Sequence, residues 1–327
     1  MTQIRLGTPG DAARERELWQ LAFGDDGAYV DNFYQTYYKP ERMLLLEEDG
    51  VVQSMTAWFD TQLVLPGEGR FRAAYLYAVA TDPAARGRLL AGRLLAGADE
   101  YFRGLAIPAV TTVPAEPSLH NFFGANGFRE CFTLFQEDLD PGELPAPAWD
   151  NPLRPVSPAE YGAVREKILA DCPHIAYPEE ALAYQAGCCA LSGGGLFAGE
   201  TEDGPVCACA EGDGAGLVVY KELLGTKLRT VLPHLPRMVP GERFLVRGPL
   251  AQRPAAGSLG CSSGSHRIGR RPGTGPAPPI LDWHLTKILH FLRCRGHLMR
   301  PRPFLGKSID FLNGMFCFSH TTVFLLW

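Results

Sequence analysis

One run constrains this chain more than any other: AAYLYAVATDPAARGRLLAGRLLAGADEYF, residues 73–102. Its first part alternates small and aromatic residues and reads as a strand. Asp82-Pro83 makes a turn, the basic loop Arg86-Gly87-Arg88 follows, and Leu89-Leu90-Ala91 opens a helix whose apolar stripe is Leu89, Leu90, Leu94, Leu95 and Phe102. The first amides of a helix have no partner within it, and they sit at the positive end of its dipole. A basic glycine-containing loop at that point fits a pyrophosphate, with Arg86 and Arg88 adding charge-assisted hydrogen bonds. Basic side chains there oppose the helix dipole unless an anion lies between them.

The rest of residues 1–140 sets this run in an alternation of strands and helices. Strands are expected at Gln3–Leu6, Met43–Glu47, Val51–Leu65, Phe71–Ala80, Ala109–Val113 and Phe128–Leu139. Helices are expected from Asp11 to about Phe23, over Ala28–Tyr38, from about Arg88 to Arg103 and over Ser118–Ala125. The grammar is mixed α/β, α+β-like, with a central mixed sheet flanked by helices. Residues 141–158 are proline-rich and read as a linker. Residues 159–251 repeat a weaker version of the first grammar and form a second, smaller domain. Its helices are expected near Ala159–Ala170 and Thr226–Leu235, and its strands at Gly195–Glu200, Val206–Ala210, Gly216–Tyr220 and Glu242–Val246. Residues 252–327 are a low-complexity linker followed by an irregular tail, in which Ile280–Leu292 could form an amphipathic helix.

Composition narrows the function classes. A length of 327 residues fits about two domains at ~150 residues each. A net charge of −5 argues against a nucleic-acid binder, which usually carries a basic face. The start lacks the basic and apolar regions of a secretory signal, and no uncharged apolar run is long enough to span a bilayer. Nine cysteines include no CxxC pair, which fits a reduced, cytoplasmic setting. Cys207 and Cys209 read as strand residues, and Cys131 as a small hydrophobe. His284, His290 and His297 lack a compact ligand spacing, so no metal is expected.

The loop Asp82-Pro83-Ala84-Ala85-Arg86-Gly87-Arg88 resembles the acetyl-CoA loop of the GCN5-related N-acetyltransferase (GNAT) superfamily, often written DPxxRGRG. Leu89 stands where that family has its central glycine, and Ala91 is an allowed residue. TTVPAEPSLHNFFGANGFRE, residues 111–130, is similar to the family's strand, helix and FYxxxGF signature. Gly127-Phe128 match, but Phe123 replaces the tyrosine that protonates the departing thiolate in many relatives, and phenylalanine has no proton to give. YLYAVATDP, VVYKELLG and FLVRGPL also resemble the two-part bacterial type, whose second half is a degenerate GNAT-like domain.

The resemblance implies acetyl-CoA as co-substrate, no metal, and direct acetyl transfer to a primary amine on a small molecule or peptide. It implies cofactor contacts at Ala78, Val79, Ala80, Arg86, Gly87, Arg88, Leu89, Leu90, Ala91 and Asn121. It places the oxyanion-stabilising N–H near Val79, at a bulge in the fourth strand. Alternation puts Tyr75 and Tyr77 on one strand face, either packed in the core or lining an acceptor groove. Glu47, Glu48 and Asp60 are either surface charges or groups that attract an amine or accept its proton, Asp60 being the groove candidate. Leu89 and Phe123 leave open a catalytically impaired acyl-CoA sensor or interaction module. An aminoacyl-tRNA-dependent transferase is a third option, disfavoured by the acidic balance.

Overall fold

The structure, a computed structural model, describes residues 2–114, 118–147, 149–249 and 288–294. The first half runs β1 (Thr2–Leu6), α1 (Ala12–Phe23), α2 (Gly27–Thr36), β2 (Met43–Glu48), β3 (Val51–Leu65), β4 (Gly69–Thr81), α3 (Leu90–Gly104), β5 (Ala109–Thr112), α4 (Leu119–Ala125) and β6 (Glu130–Leu139). The second runs β7 (Leu153–Pro155), α5 (Pro158–Ile168), β8 (His174–Ala176), α6 (Glu179–Leu191), β9 (Gly195–Thr201), β10 (Gly204–Gly212), β11 (Leu217–Leu224), α7 (Leu228–Val231), α8 (Leu235–Met238) and β12 (Arg243–Pro249), and β13 (Ile288–Cys294) follows.

Local chemistry sets these boundaries. Thr8 and Asp11 form a reciprocal capping box ahead of α1, and Gly24, at φ 70°, ends that helix in the left-handed region. The Asp26 carboxylate accepts from Ala28 N to start α2, and the Ser157 hydroxyl accepts from Glu160 N to start α5. Pro233 and Pro236 divide the helix expected over Thr226–Leu235 into α7, a 3₁₀ turn and α8. The proline-rich stretch 141–158 holds β7, the first strand of the second half, and the start of α5. The helix expected over Ile280–Leu292 is overturned by β13, which is extended over residues 288–294; residues 280–287 lie outside those described. Apolar residues in ladder register decided that outcome over helical periodicity, which was weak there.

The strands join one mixed sheet in the order β1-β2-β3-β4-β5-β13-β6-β12-β11-β10-β9-β7. Its two halves repeat. β1–β2, β2–β3 and β3–β4 pair antiparallel and β4–β5 parallel; β7–β9, β9–β10 and β10–β11 pair antiparallel and β11–β12 parallel. The halves meet where β6 pairs antiparallel with β12, and again where β8 adds to β3 through Gln62↔Ala176, Leu63↔Ile175 and Val64↔His174.

Three apolar clusters hold the layers. The largest is shared by both halves: Trp19, Phe33, Phe59, Tyr75 and Tyr77 pack with Tyr161, Tyr184, Cys188 and Cys209. The Tyr77 and Tyr184 hydroxyls bond across the junction at 2.7 Å. A second cluster seats α3 on the opposite sheet face through Leu90, Leu94, Leu95 and Phe102 against Trp58, Leu76 and Phe123. The third seats α7 and α8 on β10–β12. A Cβ at Gly187 of α6 would overlap the Asn32 side chain of α2, so these two helices touch through a missing side chain.

Two carboxylates, half-buried Glu166 and fully buried Glu15, respond to their surroundings in opposite senses. Burial alone would raise Glu166, but its contacts with His174 at 3.1 Å and with Arg70 hold it at about 2. Glu15 on α1 is fully buried, and that burial raises it from 4.5 to about 7, against a hydrogen bond donated by the Tyr34 hydroxyl. Its folded pKa lies above the unfolded value, so its contribution is present at low pH and is lost as pH rises from 4.5 through about 7. Glu15→Gln is therefore expected to stabilise the protein at pH 8 by ~1–3 kcal/mol and to match the parent near pH 5, as read from thermal or urea unfolding at the two pH values.

Candidate active site

The site begins where the sheet opens. β4 pairs with β5 only through Ala73, Ala74 and Tyr75, although β4 continues to Thr81. Thr112 Oγ1 donates to Leu76 O at 3.3 Å and marks the end of the contact between the strands. Beyond it, β4 keeps its ladder with β3 and presents its other edge. Met55 pairs with Ala80 and Ala57 with Tyr77, so Ala78 and Val79 together face Thr56. This is a β-bulge, with Ala78 at φ 50°. The bulge is held from behind, because Thr56 Oγ1 donates to Tyr77 O at 3.1 Å and Ser54 Oγ donates to Ala80 O at 2.7 Å. Ala78, Val79 and Ala80 thus combine an open strand edge with locally rotated peptides.

The loop after β4 is fixed at its first residue. The Asp82 carboxylate accepts from Ala84 N and pairs with Arg14 of α1, and Arg14 Nε also donates to Val52 O. The Arg14 guanidinium holds the Asp82 carboxyl below the usual carboxylate range. Gly87 has φ 77°, and a Cβ built there meets nothing within 4 Å. The turn is therefore open on that side.

Leu89 takes φ 60°, ψ 19° at the N-cap of α3. That left-handed conformation accounts for a glycine at this position in similar loops. The leucine side chain does not fill the turn: it is 82% exposed, while Leu90 beside it is buried in the α3 cluster. Arg93 N makes the first helical bond, to Leu89 O, which leaves the amides of Leu90, Ala91 and Gly92 without a partner inside the helix.

The charged groups around the loop divide. Arg88 reaches Glu48 at 2.6 Å, and Arg93 reaches the same carboxylate at 3.5 Å. Arg86 makes no side-chain hydrogen bond or ion pair among the described residues. Glu47 pairs with Arg5, whose hydrogen bond holds its carboxyl low, and Asp60 pairs with Arg42 at 2.8 Å.

The other expected residues scatter. Tyr75 and Tyr77 share a face, as alternation requires, but both are buried in the aromatic core and neither surfaces an open groove. Asp60 borders a cleft of about 530 Å3 beside Arg70, Glu166 and Tyr177, toward the hairpin end of β3 and β4 and away from the bulge. Phe123 is buried, its ring 5.1 Å from Phe122 and 5.3 Å from Phe128. Asn121 is exposed on α4. The asparagine that does approach the loop helix is Asn126, 3.1 Å from where a Cβ on Gly92 would stand, its Nδ2 donating to Phe122 O. Its place at the C-terminal end of α4, directly before Gly127-Phe128, is the sequence signal that would have singled it out. Of the histidines, His284 and His297 lie outside the described residues and His290 falls in β13. No group of three potential metal ligands occurs among the described residues. Cys207 and Cys209 are fully buried strand residues on one face of β10, and Cys131 is half-buried.

Comparison with known proteins agrees with this geometry. Residues 3–127 match the family model described as an acetyltransferase (GNAT) domain. The chain is similar to the crystal structure of Eis1 from Mycobacterium abscessus, at TM-score 0.55 and 15% identity over 75% of this chain and 65% of that one. It is similar to a GCN5-related N-acetyltransferase from Kribbella flavida (0.56, 17%, 76% and 64%) and to another from Anabaena variabilis (0.58, 13%, 76% and 66%). The chain thus spans just under two thirds of the length of each of these structures, and the likeness is one of fold. No curated protein matches the sequence. The opened β4–β5 pair, the bulge and the basic loop at the start of α3 all lie within residues 3–127, the stretch that matches the acetyltransferase (GNAT) domain model.

Proposed function

We propose that the protein is an N-acyltransferase that moves the acetyl group of acetyl-CoA directly to a primary amine of a small molecule or peptide. The observation that carries this reading is the junction of an open, bulged strand edge with an open basic loop at a helix start. Acetyl-CoA fits both parts. The pantetheine arm, which carries amides, adds along Ala78–Ala80 as a further strand would. The pyrophosphate meets the amides from Gly87 to Ala91, with Arg86 available and Arg88 able to leave Glu48 for a phosphate.

The chemistry then follows from the placement. A deprotonated amine nitrogen attacks the thioester carbonyl. A C–N bond forms, the C–S bond breaks, the nitrogen loses its proton and the departing thiolate gains one. The Val79 N–H, turned by the bulge, stabilises the negative charge that develops on the carbonyl oxygen. Phe123 supplies no proton, so solvent protonates the thiolate, whose low basicity makes it a competent leaving group without a fixed acid. No covalent enzyme intermediate is involved. No metal takes part in this reading.

No described helix is long and apolar enough to cross a membrane, and the buried thiols of Cys189 and Cys209 lie 3.6 Å apart, within hydrogen-bonding distance. The lack of any CxxC pair in the sequence supports a reducing, cytoplasmic site of action. The net charge of −5 supports a small-molecule or peptide acceptor rather than a nucleic acid. A second reading, a binding module that holds acyl-CoA without turnover, draws its support from Phe123 alone.

Calorimetric titration with acetyl-CoA, paired with thiol release over a panel of amines, tests both: binding with release supports the enzyme, binding without release the module, and no binding removes both. Arg86→Ala is expected to weaken CoA binding ~10–100-fold through the lost phosphate contact, with Arg88→Ala milder because Glu48 competes for that side chain. Leu89→Gly is expected to keep CoA affinity and to change stability by less than ~1 kcal/mol, since relief of the left-handed strain offsets the added freedom of the unfolded chain; Leu89→Val should cost ~1–2 kcal/mol in the same unfolding assay.

A further inference from the structure

The bulge in β4 carries a cost of its own. Ala78 has a side chain and yet takes φ 50°, a left-handed backbone that a non-glycine residue keeps only where its surroundings over-determine it. Thr56 and Ser54 hold the carbonyls of Tyr77 and Ala80, and both act from the β3 side. The residue that leads into the bulge is Tyr77, and its side chain, 3% exposed, runs into the core shared by the two halves.

Rings from α1, α2, β3 and α6 close on that side chain: Trp19 at 5.5 Å between centroids, Phe33 at 5.8 Å, Phe59 at 5.0 Å and Tyr184 at 5.9 Å. The hydroxyl adds a directional contact to this packing. It lies 2.7 Å from the Tyr184 hydroxyl, and Tyr29 of α2 hydrogen-bonds with both. Tyr77 and Tyr184 are buried, so water cannot replace a partner that is lost.

Tyr184 is itself firmly seated. Asn32 Nδ2 donates to Tyr184 O at 2.9 Å, and Gly187, one turn along α6, lies so close to the Asn32 side chain that a Cβ there would overlap it. A hydroxyl on a helix docked in this way can hold the strand residue it touches.

We propose that Tyr184, a residue of the second half, is a positioning residue for acyl transfer: its hydroxyl holds the Tyr77 side chain, and with it the strand entering the bulge, so that the Val79 N–H points to where the thioester oxygen gains charge. The proposal rests on the acyl-transfer reading. A misdirected donor stabilises less charge, while the cofactor contacts along the strand edge and at the loop are kept, so affinity and polarisation separate. Both are measurable on acetyl-CoA alone, in the full chain and without an acceptor. Calorimetry reads the affinity. The infrared band of an isotope-labelled thioester carbonyl reads the polarisation, since it moves to lower frequency as its hydrogen bond strengthens. The parent is expected to lower that band relative to free acetyl-CoA. Tyr184→Phe is expected to keep the affinity within ~3-fold and to lose about half or more of the band displacement. Tyr77→Phe removes the same bond from the other side and should give the same loss, with the double variant no worse than either. Tyr161→Phe is the control. It removes another buried hydroxyl bond of the second half, to Glu222 at 2.7 Å, and should leave the band at the parent position even where the thermal midpoint falls. An undisplaced band in the parent, an unchanged band in Tyr184→Phe, an equal loss in Tyr161→Phe, or lost affinity in both Tyr184→Phe and Tyr77→Phe would overturn the proposal. Failure of acetyl-CoA to bind the parent removes the acyl-transfer reading instead.

Discussion

Among the described residues, β4 has a sheet partner on one side only beyond Tyr75, and the candidate site depends on that asymmetry. A strand paired on both sides has no amides to offer, whereas a strand free on both sides would not hold a defined line. β4 is gripped by β3 along its whole length, with Thr56 and Ser54 hydroxyls bonded to its carbonyls, and its other edge stays available for more than a full turn of the ladder. The bulge rotates peptides within a segment whose position is already fixed. The loop that follows is tied to α1 through Asp82 and Arg14, so the two recognition elements, edge and loop, keep a constant separation.

The second half copies the strand order of the first without copying its loop. After β11, the chain breaks into short turns around Pro233 and Pro236 where the first half has the long helix α3. With no extended helix start there, the loop ahead of α3 has no counterpart in the described part of the second half. What the second half supplies is a wall: α6 covers the aromatic face of the first half, and β10–β12 turn charged side chains toward the α1–α2 turn. The two halves thus share a strand order but not the basic loop ahead of a long helix.

Much of this was legible from residues alone. The strands expected at 43–47, 51–65 and 71–80 are β2, β3 and β4, and the spacing of Leu90, Leu94 and Phe102 set α3. The left-handed backbone at Leu89 was not legible, because a leucine gives no sign of positive φ; only the resemblance to glycine-bearing loops pointed there. The whole of α6 escaped notice. It packs against α2 and α5 on one side and the sheet on another, so Ala181, Leu182, Tyr184, Gln185, Cys188 and Cys189 are all buried and no polar stripe remains to mark a period. β8 is three residues long and gains its identity only from β3 beside it.

The halves are joined by main chain rather than by side chains alone. β6 bonds to β12 over Leu134–Leu139 and Pro249–Phe244, and β8 bonds to β3 at a second place. Opening them like a jaw would strip two rows of amide bonds at once, so no hinge lies between the lobes. The separation of the two lobes is therefore set when the chain folds.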